Sequence, residues 1–321
     1  MIEELAITIL VLLNQVSVVP ESQNKIGFFS QFIKDESVSS NPVIENSNYS
    51  YYQGNLKHGD VLKSLPVKDA SAPALAVEAK ASIAFDSDTD LVLYSQNTGQ
   101  KLPIASLTKI MTALVVLEEM DLDKTSTVSK NALSLDIEKK KNTLQEGERI
   151  KTGNLLKVML IESNNAAAYS LAENTAGSVD EFVELMNAKA KLLGLKNTRF
   201  SNPSGLDQEG NYSTAYDVAQ MVDFAINKKF IWDILKTKSA TVSSLDGKAE
   251  HRLRNTNLLL GRIPHIIGGK TGFTDEAGEC LVLIVEDAES GRKVVTVVLG
   301  AKDRFAETEK IVRWVFKNYR W

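Results

Sequence analysis

The sequence predicts an α+β (α/β) domain in which one sheet of about five strands is flanked by helices and interrupted by a helical subdomain. Three observations carry this. Two strand-like runs lie near residues 81–94, helical apolar periods fill the middle of the chain, and three further strand-like runs near residues 266–299 precede a closing helix. Two strands before a block of helices and three after it describe one sheet split by an insertion, and a cleft between sheet and insertion is the natural place for a site.

Residues 1–19 open the chain. Leu5 to Val19 is mostly apolar but is broken by Asn14 and Gln15 and preceded by Glu3 and Glu4, so it resembles the core of a signal peptide or a weak membrane anchor. Residues 20–76 are rich in Ser, Asn, Lys, Asp and Pro without a sustained period. They are expected to form a disordered polar linker, and order is expected from Val77, giving a folded domain over 77–321.

Within that domain, Ala81-Ser-Ile-Ala-Phe85 and Leu91-Val-Leu-Tyr94 are strands joined by the Asp-rich turn 86–90. Ile110, Ala113, Leu114 and Leu117 follow helical spacing after Pro103, so Ser106 sits at a helix start. A second helix runs from Asn154 into Glu162-Ser-Asn-Asn-Ala-Ala167. Another covers Val179 to Leu193 and ends at Gly194, and a fourth runs from Thr214 to Asn227. Ile266–Gly272, Cys280–Val285 and Lys293–Leu299 are strands, and Ala306–Tyr319 is the closing helix with Ile311, Val312, Val315 and Phe316 toward the sheet.

Composition excludes several functions. The 321 residues carry a net charge of -4, which offers no basic field for nucleic acid. A single cysteine, Cys280, allows no intrachain disulfide, and three scattered histidines give no support for a metal site.

Chemistry starts at Ser106. Lys109 follows three residues later, so on a helix both side chains share one face and the amine can reach the hydroxyl. That amine activates the serine only when unprotonated. Lowering a lysine from about 10.4 to about 7 costs about 4 kcal/mol, which burial and a second cation can supply.

Single motifs decide little. Ser-x-x-Lys recurs at Ser22 and Ser290, Ser-x-Asn at Ser39, Ser95 and Ser129, and Lys-Thr-Gly at Lys151 and Lys270. Context selects among them. Lys151-Thr152-Gly153 immediately precedes a helix and reads as its start, with Thr152 or Asn154 as cap, whereas Lys270-Thr271-Gly272 lies in a strand with glycines that admit a ligand backbone. Ser163-Asn164-Asn165 reads as the polar end of a helix, out of place among alanines unless it serves a site.

In order, Ser106-x-x-Lys109, Ser163-x-Asn165 and Lys270-Thr271-Gly272 match the serine penicillin-binding and β-lactamase motif set. With Ser106-Leu-Thr-Lys-Ile-Met-Thr-Ala, Asn202-Pro-Ser-Gly-Leu-Asp, Ser213-Thr-Ala-Tyr-Asp and Ala277-Gly-Glu-Cys-Leu, the chain resembles the low-molecular-mass D-alanyl-D-alanine carboxypeptidases over residues 77–321.

The resemblance implies a serine β-lactamase/DD-peptidase-like fold with an antiparallel sheet, and a peptidoglycan stem peptide ending in D-Ala-D-Ala as substrate. It implies Ser106 as nucleophile, Lys109 as its base and Ser163 as proton relay. Asn165, Lys270, Thr271 and Arg304 would bind substrate, with Lys270 as the second cation. The backbone amides of Ser106 and Phe273 would form the oxyanion hole. β-Lactam antibiotics would acylate the same serine, no metal or organic cofactor is implied, and the location would be the cell envelope outside the cytoplasm, secreted or attached to the membrane through the N-terminal segment. A solvated charge at a helix start is the other reading of Arg304.

Two tempting residues have no role in this scheme: His265 reads as a loop residue and Cys280 as a packed strand residue. Glu181 and Glu184 faintly resemble the deacylating segment of class A β-lactamases, but they stand in an apolar helical pattern that packing explains. The nearest rival activity is a DD-endopeptidase cutting crosslinks. A β-lactamase or a non-catalytic penicillin sensor stands further off.

Overall fold

The structure is a computed structural model that describes residues 65–135 and 144–321, so the expected N-terminal signal-like segment and most of the expected linker lie outside the described residues. A five-stranded antiparallel sheet is its centre, in the order β3-β2-β10-β9-β8. Strands β2 (Ala81–Asp86) and β3 (Leu91–Gln96) form the first hairpin, and β8 (Ile266–Thr274), β9 (Gly278–Glu286) and β10 (Lys293–Ala301) form a meander. The two halves join where β10 pairs with β2, Val295 opposite Phe85 and Val297 opposite Ile83. This is the sheet split by an insertion that the sequence predicts.

Side-chain alternation explains why the central strands read as unbroken apolar runs. On β9, Cys280, Val282 and Ile284 point into the main core under the helical block, while Leu281, Leu283 and Val285 point the other way, against the closing helix α8 (Arg304–Asn318). Both faces are covered, so neither needs polar residues. The turns and caps then set the ends: Gly194 (φ +72°) closes the helix Val179–Leu192, and Asp303 caps α8 by accepting from the amides of Phe305 and Ala306.

The insertion is organised around α1 (Thr108–Glu119), preceded by a 3₁₀ turn over Ala105–Leu107. The spacing predicts one apolar stripe, yet every residue from Thr108 to Val116 is buried, because helices surround α1 on all sides. Beside it lie α3 (Thr152–Ile161), α4 (Asn165–Ala176), α5 (Val179–Leu192) and α6 (Ala215–Ala225). The alanines of α4 (Ala166, Ala167, Ala168 and Ala172) have no exposed surface, and their small volume lets this helix pack closely in the core.

Three expectations need correction. The first concerns the linker, expected to reach residue 76. Val67–Lys68 instead forms β1, paired antiparallel with Tyr319–Arg320, and the Trp314 indole donates to Pro73 O at 2.9 Å. This stretch shows no period of its own because its partners stand some 240 residues away. The second concerns Thr152, which does not cap α3. It is that helix's first residue, and its hydroxyl donates to Lys124 O at 3.1 Å and pairs with Ser126 Oγ at 2.9 Å. The third concerns Ser163-Asn164-Asn165, which does not simply end a helix: α3 stops at Ile161, Asn164 caps α4 by accepting from Ala167 N, and Asn165 is the first residue of α4.

Short elements escaped the reading: the pair β4 (Thr125–Thr127) and β5 (Arg149–Lys151), α2 (Lys130–Leu135), α7 (Lys229–Lys236), and the hairpin β6 (Ser239–Ser243) with β7 (Glu250–Arg254). Two of them shape the site. Helix α7 covers the start of the edge strand, where a Cβ at Gly268 would meet Trp232 at 3.0 Å. The segment after β7 forms one wall of the cleft.

Candidate active site

A cleft of about 710 Å³ opens where the C-terminal half of β8 faces the insertion, lined among others by Ser106, Ser163, Asn165, Thr271, Phe273 and Arg304. Each side chain arrives there by a local cause. Ser106 lies in the 3₁₀ turn, whose tight winding turns the hydroxyl out of the helix body. The residue before it, Ala105, has φ +47°, a conformation disfavoured for a side chain with a Cβ. Gly205 makes it feasible: its φ is +84°, and a Cβ there would stand 1.9 Å from Ala105 O. Gly272 does the same from the sheet side, where a Cβ would stand 3.0 Å from Ser106 N. The strand carrying Phe273 is thereby drawn against the Ser106 amide.

Lys109 lies beneath the nucleophile with no exposed surface. Its Nζ donates to Ser106 Oγ at 2.8 Å, Asn165 Oδ1 at 2.7 Å and Ser204 O at 2.7 Å. One amine thus ties the nucleophile, the first residue of α4 and the 202–207 turn into a single unit. That turn is itself built by Asn202, whose Oδ1 accepts from Ser204 N at 3.1 Å and Gly205 N at 2.7 Å.

The second serine and lysine repeat the arrangement from the other wall. Lys270, 1% exposed, donates to Ser163 Oγ at 2.8 Å and Thr271 O at 2.8 Å. Burial, first, and then the positive charges of Lys109 and Arg304 hold the Lys270 ammonium well below the ordinary lysine range. Ser163 has φ +63°, so both serines are set by an uncommon left-handed residue, Ala105 beside one and Ser163 itself at the other.

Arg304, the first residue of α8, reaches across the strand end. Its Nη1 donates to Gly272 O at 2.5 Å, and its Nη2 stands 3.8 Å from Glu279 Oε1. It is therefore not a solvated charge. Thr271 Oγ1 shares a hydrogen bond of 2.6 Å with Thr256 Oγ1. Phe273 stands 52% exposed at the rim of the cleft.

The structure thus brings together all the motif residues predicted from sequence. It keeps the decoys out. Cys280 is buried in the main core and its thiol is pushed up to about 11, chiefly by burial, so it is no nucleophile. His265 is an exposed turn residue beside a different groove. Glu181 stands in the first turn of α5, where its backbone N–H donates to the N-cap Ser178 Oγ at 3.1 Å and its Oε2 accepts from the same hydroxyl at 3.1 Å. Sequence reasoning missed Thr256, Glu279 and Ser204. Thr256 lies in no quoted motif, Glu279 lies in Ala277-Gly-Glu-Cys-Leu without a role assigned to it, and Ser204 acts through a backbone carbonyl that no residue identity reveals. Among the described residues no group of three or more metal-ligating side chains is disposed to hold an ion.

Known proteins are similar to this chain. DacF, a D-alanyl-D-alanine carboxypeptidase of Bacillus subtilis, is 38% identical over 261 residues, which make up 76% of this chain and 64% of DacF. DacC, a D-alanyl-D-alanine carboxypeptidase of Escherichia coli, is 35% identical, with 78% of this chain and 64% of DacC covered. A D-alanyl-D-alanine endopeptidase of Pseudomonas aeruginosa is 35% identical over 73% of this chain and 76% of its own length. The match therefore spans about two thirds of the two carboxypeptidases and about three quarters of the endopeptidase. Among solved structures, the Streptomyces K15 DD-transpeptidase superposes with a TM-score of 0.71 at 29% identity, covering 76% of this chain and 99% of its own. The α+β sheet-and-insertion fold is that of this DD-transpeptidase structure. The D-alanyl-D-alanine carboxypeptidase family profile matches residues 67–303, and the chain belongs to that family.

Proposed function

We propose that the chain is a serine DD-carboxypeptidase that removes the terminal D-alanine from peptidoglycan stem peptides through an acyl-enzyme on Ser106. One observation carries the reading: two serine and lysine pairs, each at 2.8 Å, meet in one cleft, and the first lysine also holds Asn165 Oδ1 at 2.7 Å.

Ser106 Oγ attacks the carbonyl carbon between the two D-alanines, and its proton passes to Lys109 Nζ, already within hydrogen-bond reach. The oxygen that becomes negative is held by the backbone N–H groups of Ser106 and Phe273. Each such donor is worth about 3 kcal/mol in the transition state. The C–N bond then breaks, and Ser163, held by Lys270, gives its hydroxyl proton to the leaving amine and regains the one that Lys109 took from Ser106. Water hydrolyses the ester and restores Ser106. Thr271, Lys270 and Arg304 take the terminal carboxylate, and Asn165 donates from its amide nitrogen to the peptide backbone while its Oδ1 holds Lys109. β-Lactams, which present a carboxylate next to a strained acyl bond, acylate the same serine.

The substrate lies outside the cytoplasmic membrane, so the active chain is exposed there, with residues 1–19 as export signal or anchor. Among the described residues no helix is long and apolar enough to cross a membrane. A second reading, hydrolysis of crosslinks between stem peptides, is supported by the relatives of endopeptidase name.

The test is release of D-alanine from diacetyl-L-lysyl-D-alanyl-D-alanine by the full chain, with Ser106→Ala as control. Release by the wild type alone is expected. Stable labelling of Ser106 by a fluorescent penicillin without D-alanine release would overturn hydrolysis of free stems and favour crosslinks as substrate.

A further inference from the structure

Among the described residues two acidic side chains line the cleft, Glu162 and Glu279, and the one beside Arg304 is unexplained by the reaction above. Glu279 lines the cleft, yet a site for a terminal carboxylate has no evident use for a second carboxylate. Its position is set by the sheet: in register it faces Phe273 on β8 and Ala301 on β10, at the strand ends where α8 begins. Leu281, Leu283 and Val285 on the same strand pack on the α8 side, and alternation puts Glu279 on that side too.

From there it touches Arg304 twice. Glu279 Oε2 accepts the Arg304 backbone N–H at 3.0 Å, a helix amide that Asp303 does not cap, and Oε1 stands 3.8 Å from Nη2. The first contact is a hydrogen bond. The second is an ion-pair distance, too long for one. A guanidinium has five N–H donors; Nη1 donates one to Gly272 O, and Nε–H is buried with no acceptor. Arg304 is thus anchored and charge-balanced while donors on Nη1 and Nη2 stay available. The two side chains are 17% and 29% exposed, so solvent screens the pair only in part.

We propose that Glu279 is a positioning residue that offsets the charge of Arg304, so that the cleft reads a hydrogen-bond acceptor rather than a negative charge on the leaving residue. This rests on the carboxylate-binding role given to Arg304 above and refines it. The substrate class follows. The site accepts peptides whose leaving residue lacks a free carboxylate, amidated or joined through a crosslink, alongside those that end in one. A bound substrate carboxylate and the Glu279 carboxylate share one guanidinium and repel each other, which weakens binding of the free acid by about three- to tenfold.

The test uses the full chain as Ser106→Ala, which binds without turnover, with and without Glu279→Gln. Glutamine keeps an acceptor for the Arg304 amide and removes the charge. Calorimetry compares diacetyl-lysyl-D-alanyl-D-alanine with its C-terminal carboxamide. Glu279→Gln is expected to tighten the acid by about three- to tenfold and to leave the carboxamide within about twofold. An unchanged acid-to-amide ratio, equal shifts for both peptides, or no binding of either overturns the proposal; the second of these is what a purely structural role would give. Release of D-alanine by the chain with Ser106 intact is read separately. Its presence with an unmoved ratio removes the role of Glu279 alone, and its absence with a shifted ratio removes the hydrolytic reading alone.

Discussion

Replacing Gly205 with alanine should damage the nucleophile without touching a catalytic side chain. The added Cβ would lie 1.9 Å from Ala105 O, 2.4 Å from Ala105 C and 2.8 Å from Thr108 Oγ1. Two of these neighbours are backbone, so about 1.5 Å of main-chain displacement is needed to reach an ordinary contact. The φ of +84° adds about 1 kcal/mol for a residue with a Cβ, and forced overpacking adds about 1–3 kcal/mol. A loss of about 2–4 kcal/mol should lower Tm by roughly 4–16 °C in a domain of this size. The displacement also falls on Ser106 through Ala105 and on Lys109 through Ser204 O, its acceptor at 2.7 Å. Acylation by a fluorescent penicillin should therefore slow by at least about tenfold, as a misplacement of this size costs a reaction that depends on alignment. Differential scanning fluorimetry and the labelling rate, read at a temperature where the variant is folded, give both numbers. An unchanged Tm with an unchanged labelling rate would refute the close approach on which the site's construction rests.

Two further predictions follow from charge and capping. Because the Lys270 ammonium is held below the ordinary lysine range, folding releases its proton between that lowered value and the unfolded value of 10.5, so its contribution to stability rises with pH across that window. Lys270→Met should be inactive yet show a shallower rise in denaturant midpoint between pH 7 and about pH 10 than the wild type; an equally steep rise would contradict the assignment. Ser178→Ala removes the N-cap of α5 and should cost about 1 kcal/mol in urea unfolding. The cap lies away from the catalytic cleft, so D-alanine release per folded molecule should hold, and a parallel loss would tie α5 to the site.

The fold was legible where a segment's neighbours are implied by its own pattern. β9 and β10 are covered on both faces, and continuous apolar runs announce that without an alignment. The stretch 65–76 was not legible for the opposite reason: its hydrogen bonds and its tryptophan contact are supplied by residues near the C-terminus, and nothing local records them. The α3–α4 boundary failed differently. The sequence reads Asn164 and Asn165 as one polar helix end, but Asn164 is a cap and Asn165 starts the next helix, a distinction that depends on Ser163 adopting φ +63°.

That residue also marks the limit of motif reading at the site. Three short motifs identified the side chains, because chemistry demands a hydroxyl beside an amine; they left open how segments more than a hundred residues apart come within 3 Å. The structure answers with backbone rather than side chains. Ala105 and Ser163 sit in a conformation costing on the order of 1 kcal/mol each, and glycines at 205 and 272 leave room for the Ser106 turn between two walls. The Lys109 amine then satisfies a hydroxyl, a side-chain amide and a backbone carbonyl from three separate segments. A chain that lost only Gly205 would keep the Ser106-x-x-Lys109, Ser163-x-Asn165 and Lys270-Thr271-Gly272 motifs and lose the geometry, because the approach of the backbone, and not the motif residues alone, places the nucleophile.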